Sequence, residues 1–216
     1  MLFLKHLVAA VGALATTVTA APQTTATNSN DAPVAGFEVA PMEWSVQPTP
    51  GKGAFVNVTG TIEEVVAEMT KTNPNFEQDI RDVYKKNKTN IEAEYQTLSA
   101  EFRAKASNST STALDKRYTL QSRICWNWPN ARRGPIWDGI WYLYGVSGQP
   151  SLGPGFGRCS RNPYSYTLDW FGNIAHSARM VHDDCNAFDW SILREVTSGQ
   201  VFWQEGWNVI VRDEEC

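Results

Sequence analysis

Apolar residues in the first half of the chain recur three and four positions apart, which predicts two amphipathic helices. The first opens at a capping box made by Thr61 and Glu64, and it ends at Asn73-Pro74 because the residue before proline avoids the helical region. The second covers about residues 76–104, and its apolar positions are Ile80, Val83, Tyr84, Ile91, Tyr95 and Leu98. A short alternating strand is predicted ahead of them at residues 54–58.

In the second half of the chain the pattern predicts short strands and two helices. One helix has Pro135 at its first position and ends at Gly145, and the other is capped by Asn173. A Gly/Pro loop follows the first helix at residues 147–157, and Gly206 suits a left-handed position in the last hairpin. Strands are predicted at residues 118–125, 158–161, 166–170, 200–203 and 207–211. The order β-α-β-β-α-β-β predicts an α+β fold, a small disulfide-stabilised sandwich in which two helices cover a mostly antiparallel sheet.

Composition changes abruptly near residue 117. All four cysteines and eight of the nine tryptophans follow that residue, and the last lysine of the chain is Lys116. The earlier part has no cysteine and a single tryptophan, Trp44. Because two segments of such different composition are not expected to share one core, we predict two separately packed parts.

The change in composition coincides with a basic pair. Lys116-Arg117 follows a Ser/Thr/Asn-rich run, and we interpret it as a maturation site for a kexin-type protease, the alternative being an ordinary exposed basic pair. Residues 1–20 have the charged start, apolar run and small residues of a secretory signal peptide, which predicts a secreted, extracellular protein. A largely helical pro-segment over residues 21–117 and a mature domain over residues 118–216 complete the predicted organisation.

The predicted pro-segment begins with a polar stretch and carries glycosylation sequons. Residues 21–52 are rich in Thr, Pro, Ala and Asn, and we expect them to stay disordered because they cannot bury enough apolar surface. The sequons begin at Asn57, Asn87 and Asn108. Glycans are bulky and solubilising, which suits a folding aid that is removed before the product acts.

Charge and hydropathy exclude two classes of partner. The formal net charge of −4 provides no basic face for nucleic acid. No stretch after the signal peptide approaches the roughly 18 apolar residues of a membrane-spanning helix, so we expect no stable membrane anchor.

The four cysteines are interpreted as disulfide partners. Cys125, Cys159, Cys185 and Cys216 lack C-x-x-C spacing, which disfavours zinc, and the secretory route favours bridges. Four cysteines allow three connectivities, and sequence alone does not choose between them. We favour Cys185 with Cys216, since a helix end and the chain end can meet, which leaves Cys125 with Cys159.

Candidate metal-binding residues give only a weak signal. His176 and His182 lie six positions apart on one predicted helix and point to different sides, so they make no metal-binding face even with Asp183 and Asp184 nearby. We interpret this helix as a surface helix with a weak ion pair between Arg179 and Asp183.

A hydrolase would need paired acid and base groups. Glu205 with His176 could serve general acid-base cleavage of RNA or a sugar, and Asp169 with Asp189 could form a glycosidase pair. Glu205 falls in a predicted hairpin turn, where a solvated acid is ordinary, and nothing in the sequence sets the separation of the two aspartates. We therefore assign no catalytic residue, no metal and no cofactor.

The aromatic content is the strongest remaining signal. Seventeen of the residues after position 117 are Trp, Tyr or Phe, which is more than a small core hides easily. We expect some tryptophans to be exposed, with Trp126, Trp128 and Trp137 as candidates for stacking on a sugar ring or anchoring a protein partner.

Several motifs after residue 117 resemble a known group of proteins. They are Ile124-Cys125-Trp126-Asn127-Trp128-Pro129-Asn130, Asp138-Gly139-Ile140 with Tyr142-Leu143, Gly153-Pro154-Gly155, Gly157-Arg158-Cys159-Ser160, and the ending Gly206-Trp207-Asn208-Val209-Ile210-Val211-Arg212. Over about residues 118–216 these motifs resemble fungal small secreted cysteine-containing proteins, most of them of unknown function. The general layout is similar, in architecture only, to the killer-toxin-like and Ecp-type effector superfamily of fungi.

The resemblance implies secretion and interaction with a host or a competitor, and it supplies no catalytic residue. Proteins of this group often have a further cysteine pair near the loop at residues 155–157 and the strand that ends at Trp170. Phe156 and Trp170-Phe171 occupy those neighbourhoods here, where an aromatic contact could replace the bridge. This departure weakens any transfer of the group's disulfide connectivity to this chain.

Taken together, the sequence predicts a secreted, kexin-processed binding protein of effector-like or toxin-like kind without enzymatic activity. Its expected partners are the kexin-type protease during maturation and then a host or competitor protein or a cell-wall glycan. The alternatives are a carbohydrate-binding module for cell-wall polymers, which would use an aromatic platform, and a small secreted hydrolase.

Overall fold

The computed structural model describes residues 42–106, 119–152 and 166–213, and these ranges form an α+β fold. We call residues 42–106 the N-terminal segment and the two later ranges the C-terminal segment. The elements in chain order are β1 (Glu43–Val46), β2 (Val56–Thr59), α1 (Ile62–Thr72), α2 (Phe76–Ala106), β3 (Leu120–Cys125), β4 (Ala131–Arg132), α3 (Arg133–Gly145), β5 (Gly148–Leu152), β6 (Tyr166–Thr167), α4 (Gly172–Asp184), β7 (Asn186–Asp189), β8 (Arg194–Thr197), β9 (Gly199–Trp203) and β10 (Asn208–Val211).

Several sequence predictions fall outside the described residues. They are the signal peptide at residues 1–20, the processing pair Lys116 and Arg117, the sequon at Asn108, and the cysteines Cys159 and Cys216. They remain predictions.

The described strands form three antiparallel sheets around the helices. The first sheet has the order β2-β1-β5-β6, the second β10-β9-β3 and the third β4-β8-β7. Helix α3 packs against both α2 and α4, and α4 lies against β9 and β10. Three small sheets therefore replace the single sheet of the predicted sandwich.

The helices of the N-terminal segment confirm the local sequence signals. The backbone N–H of Thr61 donates to Glu64 Oε2 at 2.7 Å and the N–H of Glu64 donates to Thr61 Oγ1 at 3.3 Å, which completes the predicted capping box of α1. Helix α2 begins at Phe76 as predicted.

The helices of the C-terminal segment differ from prediction at their starts. Helix α3 ends at Gly145 as predicted, but it begins at Arg133, two residues before Pro135. Asn173 is not the cap of α4, because the helix already begins at Gly172 and Asn173 is buried inside it. Both errors lie in helix starts, where tertiary packing sets the entry angle of the chain.

The strand predictions were right where the pairing is local and incomplete elsewhere. Strands β3, β9 and β10 lie where the pattern placed them, and Gly206 has the expected positive φ of 87° in the turn between β9 and β10. The predicted loop at residues 147–157 contains β5, and Tyr166–Thr167 pairs with β5. Residues 186–197 form the unpredicted hairpin β7–β8.

Both hydrophobic cores contain residues from each side of residue 117. In the first, α2 contributes Ile91 and Tyr95 to a cluster built mainly by α3, α4 and the second sheet. The second combines Trp44, Val46, Val65, Met69, Phe76 and Ile80 with Trp141, Val146 and Phe171. The prediction of two separately packed parts is therefore wrong. Hydrophobic burial depends on the apolar area removed from water and not on a segment's content of lysine or cysteine.

The first sheet also joins the two segments. Strand β1 is central in it and pairs with β5 from Glu43 opposite Ser151 to Val46 opposite Gly148. Residues 42–52, which the composition predicted to be disordered, therefore contain an ordered strand. The strand is ordered because the indole of Trp44 is buried and stacks on Phe171 of the C-terminal segment.

The structure joins Cys125 to Cys185, with a Cα–Cα distance of 5.3 Å. Our sequence-based preference for Cys185 with Cys216 and Cys125 with Cys159 is therefore wrong. Strand β3 ends at Cys125 beside β9, and α4 ends directly before Cys185, so packing of α4 on the second sheet brings the two sulfurs together.

Candidate functional site

The three tryptophans favoured by the sequence lie in three different environments. Trp126 is exposed and has a positive φ of 66°. Trp128 is half-buried, with the guanidinium of Arg212 5.6 Å from its ring centroid. Trp137 is half-buried against the first core and its ring lies 5.3 Å from that of His182. Only Trp126 of the three presents its ring freely enough to anchor a partner.

A cluster of exposed apolar side chains lies at the end of the β7–β8 hairpin, and it holds four of the eight large apolar side chains that are exposed among the described residues. We call it the apolar tip, and its residues are Phe188, Trp190, Ile192 and Leu193. Trp190 is 79% exposed and Leu193 68% exposed, whereas most other large apolar side chains are wholly or partly covered. The tip is absent from the sequence-based candidates because its strands are only four residues long and its apolar residues lie mainly in the turn.

The conformation of the turn is fixed by its own polar residues. Asp189 Oδ1 accepts hydrogen bonds from the backbone N–H of Ser191 at 2.9 Å and from its hydroxyl at 2.6 Å. These hydrogen bonds hold the pKa of the Asp189 carboxyl below its ordinary value. Leu193 adopts a positive φ of 51°, a conformation that a bulky residue rarely takes. Asp-x-Ser was the one signal in the sequence that could have indicated this turn.

The base of the hairpin is anchored in the core. Thr197, at the end of β8, is fully buried, and its hydroxyl lies 3.0 Å from the carbonyl oxygen of Val181 and 2.8 Å from that of Cys185. The disulfide to Cys125 holds the chain directly before β7. The apolar tip is therefore displayed by a rigid support.

A second notable region is the polar seam between α2 and α4, formed by Glu92, Tyr95, Arg179 and Asp183. The guanidinium of Arg179 lies 3.8 Å from the ring centroid of Tyr95 and its Nη2 lies 2.8 Å from Glu92 Oε2. The hydroxyl of Tyr95 donates to Asp183 Oδ2 at 2.8 Å, and Arg179 Nε lies 3.4 Å from the same oxygen. Each of these four side chains thus contacts at least one other side chain of the seam, and the contacts connect α2 to α4.

Electrostatics reinforce this seam. Burial raises the pKa of Tyr95 well above its ordinary value, and the charge of Asp183 raises it further. Burial alone would raise the pKa of Asp183, but hydrogen bonds from His182 and Tyr95, together with the charge of Arg179, lower that pKa below its ordinary value. Tyr95 is therefore a neutral donor at neutral pH, and Asp183 a charged acceptor.

Helix α4 is buried and is not the surface helix that we expected, because α3 and the second sheet pack on it and the seam joins it to α2. His176 is fully buried with its Nδ1 2.8 Å from the hydroxyl of Tyr144, whereas His182 has its Nδ1 2.7 Å from Asp183 Oδ1. The two histidines have separate surroundings, as their spacing predicted. Asp184 pairs with Arg123 instead. Within the described ranges, no group of three His, Cys, Asp or Glu side chains is arranged to hold a metal ion.

The residues considered for hydrolysis are engaged in separate places. Glu205 Oε1 accepts a hydrogen bond from the backbone N–H of Thr119 at 2.7 Å, which ties the β9–β10 turn to the start of β3. Asp189 shapes the hairpin turn, while Asp169 lines a cavity next to Trp170. His176 hydrogen-bonds to Tyr144 inside the core. No pair among them faces a common space in this arrangement.

That cavity has a volume of about 550 Å³ and lies between the two segments. Its aromatic lining consists of Phe55, Tyr144 and Trp170, and its polar lining includes Asn87, Gln149 and Asp169. Asn57 and Asn87, which begin two of the predicted sequons, are both exposed.

No protein-family model matches the chain, and neither a curated protein nor a solved structure is significantly similar to it. Among the helices that the structure describes, none is both long and apolar enough to cross a membrane. A proposal about the function therefore depends on the geometry of the chain's own residues.

Proposed function

We propose that the protein is a secreted, kexin-processed fungal binding protein of effector-like or toxin-like kind, which acts by engaging a host or competitor protein through the apolar tip. The observation that carries this proposal is the contiguous exposure of Phe188, Trp190, Ile192 and Leu193 on a rigid hairpin. Single exposed apolar residues are normal on protein surfaces, but a contiguous group marks an interaction site. The intrachain disulfide suits the oxidising environment outside the cell.

The composition of the tip favours binding over a structural role. Tryptophan is the residue most enriched at binding hot spots, where it enters a pocket on the partner and loses its contact with water. Trp190 keeps most of its surface in water in the free protein, so contact with a partner would bury a large apolar area. The rigid base limits the conformational entropy that binding removes.

The surroundings of the tip favour a protein over a membrane or a crystalline polysaccharide. Asp189, Arg194 and Glu195 flank the tip, and Glu195 pairs with Arg133 at 2.9 Å. These charges balance, so the tip has no excess of positive charge that would attract an anionic lipid surface. The rings of Phe188 and Trp190 lie 4.6 Å apart at an interplanar angle of 64°, so they share no flat platform on which a row of sugars could stack. A protein pocket can accept such an edge-to-face pair.

The test compares retention of labelled protein on cells of candidate hosts and competing fungi, before and after the cell surface is treated with protease. We expect Trp190→Ala to reduce retention about tenfold or more. The control Ile124→Ala removes an exposed apolar side chain outside the tip and should leave retention unchanged. Protease treatment should abolish the wild-type signal. Retention that survives both Trp190→Ala and protease treatment would refute the proposal.

A second candidate function, recognition of a small soluble carbohydrate, is favoured by the cavity between the segments. Aromatic faces beside amide and carboxylate groups are the elements that bind sugar rings, and Phe55, Gln149 and Asp169 supply them. Calorimetric titration with chitin, glucan and cellulose oligosaccharides tests this function. Binding that Phe55→Ala weakens would support the cavity, whereas an absence of binding to all three sugars would eliminate it.

A further inference from the structure

We infer that the N-terminal segment stays bound to the C-terminal segment after cleavage at Lys116-Arg117, so that the working protein is a non-covalent complex of two chains. The inference rests on the proposed processing, and it differs from the expectation that residues 21–117 leave the product after cleavage. It follows from the contacts between the two segments and from the position of the cysteines.

Removal of the N-terminal segment would open both hydrophobic cores. Side chains that are buried in the intact fold would face water on each side of the break. On the N-terminal side these include Trp44, Val46, Phe76, Ile80 and Tyr95, and on the C-terminal side Trp141, Tyr144, Val146 and Phe171. Strand β5 would lose β1, which pairs with it along four residues. A released C-terminal segment would therefore expose a large apolar face together with unpaired backbone groups.

At two glycines of the C-terminal segment, the backbone of the N-terminal segment lies too close for any side chain. A Cβ atom at Gly145 would overlap the carbonyl of Ile80 in α2. A Cβ atom at Gly148 would overlap the carbonyl of Ser45 in β1, and Gly148 also has a φ of 139°. Close approach of two backbones requires glycine. The absence of a side chain at these two positions of the C-terminal segment thus allows the close contact with the N-terminal segment.

Charged groups also meet across the boundary. Glu92 pairs with Arg179 at 2.8 Å, and Tyr95 hydrogen-bonds to Asp183. Without α2, Arg179 would lose both the carboxylate and the aromatic ring that it contacts there. These contacts fix the register of α2 on α4 in a way that apolar packing alone does not.

The association must be non-covalent. All four cysteines follow residue 117, so no disulfide can join the two chains that the cut would create. Denaturing electrophoresis therefore separates the chains even without a reducing agent, and it reports a released product whether or not the complex exists in solution. Only a measurement under native conditions distinguishes the two cases.

The experiment uses the full chain with Lys116-Arg117 replaced by the recognition site of a sequence-specific protease, so that cleavage does not depend on kexin. After complete cleavage, the sample passes through size exclusion at roughly 1 μM, a concentration at which chains with a Kd above the micromolar range separate. Native mass spectrometry then identifies the species. We expect one species that contains both chains. Two separately eluting chains would overturn the inference.

A matched pair of variants tests the interface itself. Gly145→Ala introduces the overlap with Ile80 and should weaken association of the cleaved chains about tenfold or more. Gly139→Ala lies in the same helix with no atom near the added Cβ, and it should leave association unchanged. Where Gly145→Ala fails to fold, Tyr95→Ala on the other chain provides the same test. Equal association in the wild type and both interface variants would contradict the assigned contacts.

Failure of this inference is distinguishable from failure of the proposed function. Native secreted protein that is never cut at Lys116-Arg117 would refute the proposed processing, but the engineered cleavage still measures the association. Separation of the engineered chains would overturn the two-chain complex and leave the apolar tip, and its cell-retention test, unaffected.

Discussion

Truncation of Trp44 tests most directly whether the two segments share one core. Trp44 is 4% exposed, its ring stacks on Phe171 with a centroid distance of 4.6 Å, and its indole N–H donates to the carbonyl oxygen of Gly60 at 2.8 Å. Trp44→Ala removes all three interactions and leaves a cavity in the second core. Truncation of a buried tryptophan to alanine costs about 3–5 kcal/mol in the free energy of unfolding.

That loss is large compared with the total stability of a domain, about 5–15 kcal/mol. For a fold of this size it corresponds to a fall in Tm of about 10 °C. Urea unfolding followed by tryptophan fluorescence measures it, and the signal reports on the C-terminal part because eight of the nine tryptophans follow residue 117. Phe55→Ala, which removes a side chain that is 56% exposed in the same segment, is the control and should cost less than about 0.5 kcal/mol.

The reasoning is refuted if Trp44→Ala changes the free energy of unfolding by less than about 1 kcal/mol, a value expected where no core contact is lost. It is also refuted if the tryptophan fluorescence transition stays at the wild-type urea concentration while the helical transition, followed by far-UV circular dichroism, moves to a lower urea concentration. Either result would mean that the two segments unfold independently.

Three further predictions concern the disulfide, the seam and the tip. Cys125→Ser with Cys185→Ser should lower the free energy of unfolding by about 4 kcal/mol, from the entropy of closing a loop between residues 60 apart; peptide mapping without reduction should find the same bridge in the wild type. Because the pKa of Asp183 is lower in the folded protein, its carboxylate stabilises the fold above the unfolded carboxyl pKa of about 4, and this stability is lost as the pH falls through the pKa of the folded state. In thermal melts between pH 5 and pH 2, we expect Asp183→Asn to reduce the acid-induced fall in Tm. The exposed control Asp82→Asn should leave that fall unchanged. Trp190→Ala should leave Tm within about 1 °C of the wild type, because the side chain has few contacts to lose; a larger fall would show that the tip is structural.

The local features of the N-terminal segment could be predicted because their causes lie within a few residues. The capping box of Thr61 and Glu64 and the apolar stripe of α2 both follow from helical geometry. The same holds for the β9–β10 hairpin, where Gly206 supplies the positive φ. In each of these elements the sequence spacing alone specifies which atoms meet.

The elements that the sequence missed depend on partners far along the chain. Strand β1 is four residues long and becomes a strand because β2 and β5 pair with both of its edges. Strands β7 and β8 are equally short, and their base is held by Thr197 and the disulfide. A four-residue strand has too little periodicity to stand out in a sequence.

The candidate site was predicted only in kind. The excess of aromatic residues correctly indicated that some tryptophan would be exposed, and Trp126 is exposed. The sequence could not rank Trp190 above Trp137, because exposure depends on which side chains the rest of the fold covers. Helix α3 buries part of Trp137 against the first core, whereas nothing in the described residues covers the apolar tip.

The sequence by itself determined the presence of the helices, the cap of α1 and the strands of the last hairpin, since these follow from backbone geometry over short distances. Only the tertiary structure decided that the N-terminal segment and the C-terminal segment share two cores, that Cys125 pairs with Cys185, and that Trp190 is displayed at a hairpin turn. The physical reason is that apolar burial is non-directional and acts between residues far apart in sequence. A sharp change in composition marks where the chain changes character, but it does not determine which surfaces pack together.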